Sequence, residues 1–371
     1  MSRVCHVTSV HREEDVRIYA KECVSLAKAG YEVFLVQRGG SYEKDGVHIA
    51  GFGDVPANRI KRMLQTTKRA YRKALELDAD LYHLHDPELL PYGLLLKKKG
   101  KHVVFDSHEC YREQIMNKTY LPGWLRKLIS GVYSVYEDYV LRRLDAVIFP
   151  CTMDGKNPFE GHCDRAVIIS NAAILGEFFH RYDPNHEKMP NSVCYVGGLT
   201  EARGITCDIL AAAKANATLL LAGEFDSEAY EAELRALPEF ACVQHRGILG
   251  REAVAQLLSD SCIGLCTLLN RGQYLKIDTF GIKVFEYMSM GLPVILSDSP
   301  FNRKMVEKLQ FGICVDPENV EEIAAAIRYL LDHPEEAKRM GGNGRRAIIE
   351  EFNWGVEEKK LFALYEDILN A

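Results

Sequence analysis

No stretch of about 18 consecutive apolar residues occurs in this 371-residue chain, so no segment is expected to cross a membrane as a helix. No apolar core of signal-peptide length follows Met1–Val7, and that opening reads as a strand. No Gly-x-Gly-x-x-Gly follows it either, which argues against a dinucleotide-dependent dehydrogenase. None of the eleven cysteines forms a Cys-x-x-Cys pair; the nearest two, Cys262 and Cys266, sit in an apolar run where packing explains them. Scattered free thiols at this density fit a reducing cytoplasm better than a secreted disulfide scaffold. The expected location is cytoplasmic, with peripheral attachment to the inner face of the cell membrane as its extension.

What is present reads as an ordinary globular protein, 47% apolar and 26% charged, long enough for two domains with a core each. The formal charge of −6 conceals a polarity: residues 1–185 carry +3 and residues 186–371 carry −9. Apolar runs at Val4–Val7, Val33–Val36, Leu81–Leu84, Val103–Phe105, Val147–Phe149 and Val167–Ile169 read as buried parallel strands. An amphipathic helix is expected over Tyr19–Ala29, ending at Gly30. After the polar, proline-bounded segment Asp183–Pro190 a second series begins, with Val193–Val196, Thr218–Leu221, Ile263–Cys266, Pro293–Leu296 and Ile313–Val315. Helical patterns at Ser227–Ala236, Arg251–Leu258 and Val320–Leu331 separate several of them. The expectation is therefore α/β, with two Rossmann-like doubly wound domains facing each other across a cleft. Their bounds are expected at 1–185 and 186–353, with a last helix over 354–371 returning to the first domain.

The densest chemistry lies in Asp278–Ile295, where two carboxylates, Asp278 and Glu286, flank a Phe280-Gly281 turn. A continuous helix would put both acids on one face; a loop-to-helix transition at the turn would aim Asp278 and a helix N-terminus into one cleft, where anions bind. Solvated acids on a surface helix are the plain alternative. Tyr195–Ile205 reads as a strand entering a glycine loop, Gly197-Gly198, and then a helix. Small residues let amides approach a phosphate, and Arg203 adds a charge-assisted contact. Lys283 shares the helical face of Glu286 and reads either as a diphosphate ligand or as a solvated lysine.

In the first half, Asp106, His108 and Glu109 follow a central strand, where α/β sheets present catalytic groups. His85 and Asp86 form a second polar strand exit, and Asp86-Pro87 favours a turn. A metal reading of His83, His85, Asp86, His108 and Glu109 matches no known ligand spacing, so no metal is expected. The loop after the first strand is dense in charge; Asp15 and Arg17 read as acceptor contacts or as an exposed ion pair. Between residues 59 and 73 lie Arg59, Lys61, Arg62, Lys68, Arg69, Arg72 and Lys73 with no acid among them. Interleaved apolar residues make this a basic amphipathic helix suited to an anionic bilayer surface, or simply a solvated one. Trp124 beside Arg126 and Lys127 is a further interfacial anchor candidate. No aromatic platform accompanies the charge, so nucleic acid is not an expected partner.

Taken together, these residues resemble a family 4 glycosyltransferase of the GT-B fold, a family of retaining nucleotide-sugar enzymes. The likeness runs nearly end to end and leans toward the polysaccharide-assembly branch, because His11–Arg17 stands where many relatives have a Gly-Gly turn. The family's E-x7-E motif is matched as Asp278-x7-Glu286. The resemblance implies that Asp278 and the amides of Phe280-Gly281 hold the donor sugar, and that Glu286 holds the ribose hydroxyls. Arg203 matches a basic phosphate ligand, whereas the usual arginine before it is Gly198 here, a role Lys283 is expected to share. His108 matches the family's active-site histidine, which contacts the donor sugar, and Gly247, before Ile248, sits where relatives approach the nucleobase. The implied reaction is retaining transfer of a hexosyl group from a nucleotide diphosphate sugar to a lipid-linked or glycan acceptor, with no cofactor and no metal. Asp15, Arg17, His85, Asp86 and Glu109 fall on the acceptor side. An epimerase of the same fold and a non-catalytic nucleotide-sugar-binding subunit are the alternatives.

Overall fold

The computed structural model describes residues 2–55, 65–116, 122–269 and 276–371. The chain divides into two compact units, Met1–Asn171 with Gly355–Ala371, and Ala172–Trp354.

The first unit is built on an eight-stranded sheet. In chain order its strands are β1 (Arg3–Val7), β2 (Glu32–Gln37), β3 (Tyr42–Lys44), β4 (Val47–Gly51), β5 (Leu81–Leu84), β6 (His102–Asp106), β7 (Ala146–Phe149) and β8 (Ala166–Ile168). They lie side by side as β3-β4-β2-β1-β5-β6-β7-β8. All pairings are parallel except β3 with β4. That antiparallel pair is joined at Asp45-Gly46, both at positive φ (52° and 77°), as a tight hairpin requires. The chain winds outward from β1 to β4, then returns to β5 on the other side of β1. The carboxyl ends of β1, β5 and β6 thus border a crevice at the point where the winding reverses, the usual place for a ligand in such sheets.

The second unit repeats the plan with six parallel strands: β9 (Ser192–Val196), β10 (Thr218–Ala222), β11 (Val243–His245), β12 (Ile263–Cys266), β13 (Val294–Ser297) and β14 (Gly312–Val315). Their order is β11-β10-β9-β12-β13-β14, so the reversal falls between β9 and β12. The exit of β9 is Gly197-Gly198. A Cβ on Gly223, at the end of β10, would meet the carbonyl oxygen of Gly197 at 1.8 Å, so two strand exits touch backbone to backbone.

Two expectations are corrected. The first helix begins at Val16, earlier than Tyr19, because the Asp15 carboxylate accepts the amides of Arg17 and Ile18 and caps it. Its opening stretch, Val16–Cys23, has wide π-type turns before tightening at Val24–Lys28. The boundary expected at 185/186 lies instead at 171/172. The Asp183–Pro190 segment packs on the second unit: His186 Nε2 lies 2.8 Å from Asp260 Oδ1, and the Met189 amide donates to the Asp260 carbonyl at 2.8 Å. Helix Trp354–Leu369 carries its buried Tyr365 into the first unit, from Gly355 onward. There the Ser25 hydroxyl donates to Glu358 at 2.6 Å and the Ser170 amide to Glu357 at 2.8 Å.

Candidate functional site

In the second unit, Gly197 adopts φ 139°, and two cations converge on it. A Cβ at this position would lie 3.2 Å from both Arg203 Nη1 and Lys283 Nζ. Arg203 ends a single tight turn, Glu201–Arg203. The Cβ of any residue at 204 would come within 2.1 Å of the Thr267 carbonyl, so only glycine lets this turn press against the exit of β12. Lys283 Nζ donates to the Tyr195 hydroxyl at 2.7 Å and stands 4.0 Å from the centre of that ring. The same hydroxyl donates to the Gly198 carbonyl at 3.1 Å. Lys283 is therefore not a solvated surface lysine. Burial, reinforced by the neighbouring Arg203, pushes its ammonium down to about 8. Tyr195, which fixes Lys283, is a position that sequence reasoning passed over as a strand residue.

Asp278 lies in the short extended segment Ile277–Asp278, and the helix starts only at Ile282, with Gly281 as its N-cap. The two acids do not share a helix; the loop-to-helix transition is what forms. Phe280 is buried among Phe285, Phe301, Phe311 and Phe352, which anchors the turn and leaves Gly281 exposed at the helix N-terminus. Beneath the turn a cavity of about 100 Å³ is lined by Leu268, Ile277, Val284, Ser299 and Asn302, among others. Glu286 is buried one turn into the helix and accepts from Arg251 Nη1 at 2.8 Å. Arg251, which also stacks 4.3 Å from the Phe178 ring centre, follows directly on the Gly247–Gly250 loop. Only its nearness to Gly247 in sequence hinted at it. In that loop Gly247 takes φ 64°, its carbonyl accepts the Gly223 amide at 2.8 Å, and Ile248 is exposed. Behind the glycine turn, Asp208 is wholly buried with Thr267 donating to it; burial raises its carboxyl to about 7.

In the first unit, the acceptor-side candidates turn out to be mostly framework. Arg17 is buried, with Nε donating to Asp106 Oδ2 at 2.7 Å and Nη2 to Asp106 Oδ1 at 3.0 Å. Its Nε also lies 3.2 Å from Glu22 Oε1. It is neither an acceptor contact nor an exposed ion pair, since a desolvated guanidinium must keep its carboxylates. Asp15 is the helix cap described above. Asp86 is buried too: it takes the Thr8 hydroxyl at 3.0 Å and the Ser9 amide, and His11 Nδ1 lies 3.0 Å from its other oxygen. Burial alone would raise its carboxyl, but His11 and these donors hold it below the ordinary range. Asp86 thereby ties the first loop to the exit of β5.

The partly exposed group at the crevice is His108, beside the ring of His11 at 4.5 Å between centres. Its Nε2 lies 3.1 Å from His85 Nδ1. His85 Nε2 in turn lies 3.0 Å from His6 Nδ1. His6 Nε2 lies 3.2 Å from the Tyr365 hydroxyl, which meets His83 Nδ1 at 2.8 Å. Four imidazoles and a phenol form one hydrogen-bonded chain running inward from His108. His85 is fully buried within it, and burial lowers its imidazole to about 4, so it stays neutral and holds His108 in place. Glu109 is half-buried and accepts from the Gln114 amide.

Two donor sets in this unit bring ligand atoms within 4.8 Å of one another, His6 with Glu22, His83 and His85, and His85 with Asp106 and His108. Arg17 already lies against both carboxylates, supplying the positive charge that a metal ion would bring. Of the metal grouping considered from sequence, His83, His85 and His108 recur in these sets, whereas Asp86 faces Thr8 and Ser9 instead.

Two family models match the chain, one described as Glycosyltransferase Family 4 over residues 19–172 and one as Glycosyl transferases group 1 over residues 177–347. A mannosyltransferase of Mycolicibacterium hassiacum, "MMP alpha-(1->4)-mannosyltransferase", is 31% identical over 121 residues, 32% of this chain and 27% of that protein. A "GDP-mannose-dependent monoacylated alpha-(1-6)-phosphatidylinositol monomannoside mannosyltransferase" of Corynebacterium glutamicum is 28% identical over 152 residues, 40% of this chain and 39% of that protein. These alignments span well under half the length of either relative. Among solved structures, sucrose-phosphate synthase from Thermosynechococcus elongatus superposes with a TM-score of 0.76 at 19% identity, over all of both chains. Anabaena HepE in complex with UDP and glucose gives 0.72 at 13% identity, over 99% of this chain and 100% of that one.

Proposed function

Since the chain belongs to glycosyltransferase family 4, with the GT-B fold and its group 1 module over residues 177–347, we propose that it moves a hexosyl group, with retention, from a nucleotide diphosphate sugar to a lipid-linked or glycan acceptor. Members of this family use nucleotide-sugar donors, generally without a metal. The observation that carries the proposal is the convergence of Arg203 and Lys283 on the Gly197 turn. Two cations and exposed glycine amides suit a diphosphate, and they stabilise the negative charge that grows on it as the sugar departs. Glu286, oriented by Arg251, accepts from the ribose hydroxyls, while Asp278 and the amides at Gly281 hold the sugar. A relative that depends on GDP-mannose supports a nucleotide-sugar donor. In the first unit, the crevice with His108 at its mouth takes the acceptor.

A thermal-shift screen of UDP- and GDP-hexoses tests this, because a ligand at 100 times its dissociation constant stabilises by about 2.7 kcal/mol. With the donor so identified, Arg203→Ala and Glu286→Ala should abolish the shift and the transfer; full activity in both variants overturns the site. Interconversion of the sugar nucleotide with no acceptor present would favour an epimerase.

The finer expectation of membrane contact rests on helix Gly123–Leu141. Trp124, Leu128, Val132, Val135 and Tyr139 follow one face and are exposed, from 53% for Tyr139 to 73% for Val135. Lys127, Arg142 and Arg143 flank them, whereas Glu137 is buried and Asp138 is tied to Arg112. Lys68, Arg69 and Arg72 are exposed on helix Thr67–Glu76; Arg59, Lys61 and Arg62 lie outside the described residues. No helix among the described residues is long and apolar enough to cross a membrane. An apolar stripe with basic flanks suits the surface of an anionic bilayer. Co-sedimentation with phosphatidylglycerol vesicles, lost on Trp124→Glu with Val135→Glu, is the expected result; equal sedimentation of both proteins refutes it.

A further inference from the structure

A second cavity, about 270 Å³ in volume, lies in the second unit at the end of the strands opposite the glycine turn. Cys262 and Pro293, which border it, stand immediately before β12 and β13, so it opens at the amino ends of those strands. Thr267, against which the Gly204 turn presses, follows the other end of β12. The intervening strand, at about 3.3 Å per residue, keeps the two places roughly 16 Å apart. The remaining wall comes from Tyr182–Lys188, the end of helix Val320–Asp332 and the start of helix Pro334–Glu350.

The wall carries an excess of positive charge. Lys188 Nζ makes no hydrogen bond and no ion pair among the described residues. Burial pushes its ammonium below the ordinary range, opposed only by the thiols of Cys262 and Cys194 and by no carboxylate. Lys338, exposed at the rim, is likewise without a partner among the described residues. Behind the wall, the Arg345 guanidinium stands 4.2 Å from the centre of the Tyr182 ring and donates to the carbonyls of Ser289 and Phe179. All three belong to the half of the chain that carries −9, yet none meets a carboxylate. Of the polar groups left in the wall, Asp183 accepts the Asn185 amide at 2.9 Å and His186 is held by Asp260. A carboxyl and an amino helix end meet here, so their dipoles offset each other and the excess is that of the side chains.

A surface lysine ordinarily lays its stem on apolar atoms and keeps its ammonium in water. Lys188 forgoes part of that hydration and gains no protein acceptor in return, which leaves its charge for a ligand to complete. The rest of the wall shapes the ligand's body: Tyr182, Pro184, Leu330, Leu331 and Pro334 are apolar, as in most small-molecule sites. The Tyr182 ring is held in place by Arg345 and by Gly291, where a Cβ would come within 2.7 Å of it. Lysines bind phosphate as point charges, and two of them match the near-double charge of a phosphate monoester at neutral pH.

We propose that this cavity binds a small phosphate monoester, its phosphate held by Lys188 and Lys338 and its apolar or aromatic part lying against Tyr182 and the leucines. The site is separate from the glycine turn and does not depend on the transferase reading.

Calorimetric titration with phenyl phosphate tests it, on the full chain carrying Arg203→Ala so that the glycine turn does not compete. Binding is expected, and Lys188→Met should raise the dissociation constant about 10-fold or more, the worth of a hydrogen bond to a charged group. Methionine keeps the stem and removes a desolvated charge, so that variant should melt no lower than its parent. Lys338→Met alters an exposed position and should raise the constant about 2- to 5-fold. Cys262, in the wall, gives a second readout: saturating phenyl phosphate should slow its alkylation by iodoacetamide, followed by peptide mass. No binding, equal binding by the Lys188→Met protein, or unslowed alkylation of Cys262 overturns the proposal. Benzyl alcohol binding as tightly refutes the anion; inorganic phosphate binding as tightly shows an adventitious ion only and refutes the monoester. With Arg203 intact, neither lysine variant should change the nucleotide-sugar thermal shift, and its loss in either would overturn a separate site. Absence of that shift in the wild type defeats the transferase reading and leaves this one standing.

Discussion

Replacing Lys283 by methionine should make the protein more stable and a poorer binder of its donor. The ammonium is held charged at neutral pH although burial has pushed it from an ordinary 10.5 down to about 8, which costs the folded state about 3 kcal/mol. Methionine fills the same stem without charge. It forfeits the hydrogen bond to the Tyr195 hydroxyl, worth about 1 kcal/mol. A net gain of about 2 kcal/mol remains, or about 4 to 8 °C in Tm for a domain of this size. The sign with pH follows from proton counting. Between about pH 8 and pH 10.5 the unfolded wild type binds a proton that the folded form has lost, so its stability rises with pH across that window. Lys283→Met removes that rise, and the two stability curves should converge toward pH 10.5. A diphosphate beside the ammonium reverses the penalty. Donor binding by the wild type near pH 8.5 should therefore take up protons, seen by calorimetry in buffers of different ionisation enthalpy, and the uptake should vanish in the variant. A variant that melts lower than wild type, or binds the nucleotide sugar equally well, refutes the reasoning.

Two further outcomes follow from buried polar groups. Asp208→Asn keeps the acceptor for Thr267 but removes a carboxyl raised from 3.8 to about 7. The folded wild type binds a proton that the unfolded chain loses between about pH 3.8 and 7, so its stability falls across that window; denaturant unfolding should show the variant about 4 kcal/mol more stable at pH 8 and no different at pH 3. Tyr365→Phe leaves His6 Nε2 and His83 Nδ1 without their shared partner. It should cost about 1 to 3 kcal/mol and shift the imidazole nitrogen resonances of His85 and His108; unchanged resonances would show that the chain does not act as a unit.

Much of the architecture was legible because buried parallel strands are written as apolar runs, and all eleven expected runs match their strands to within one residue at either end. The exceptions obey different rules. Tyr42–Lys44 and Val47–Gly51 form a hairpin at the sheet edge whose signal was the Asp45-Gly46 turn. Val243–His245 is a short edge strand, half-exposed and equally easy to miss. Within the candidate site, the glycine loop at Gly197 and the helix start that carries Lys283 and Glu286 were legible from local pattern, since such features are set by nearest neighbours. Tyr195 and Arg251 were not.

What the sequence determined by itself was which segments become strands and helices, and therefore which loops fall at strand ends. Periodicity, caps and glycines act over a few residues, and the chain carries them openly. What only the tertiary structure decided was the state of each charge. Arg17 and Asp106 are separated by 89 positions and Lys283 and Tyr195 by 88, and in the sequence Arg17 and Lys283 look like any solvated cation. Burial brought one to two carboxylates, where it became framework, and the other over an aromatic ring beside a glycine turn that it shares with Arg203. The free energy of a charge depends on solvent and partners that folding supplies, so residue type alone could nominate these groups but could not assign them.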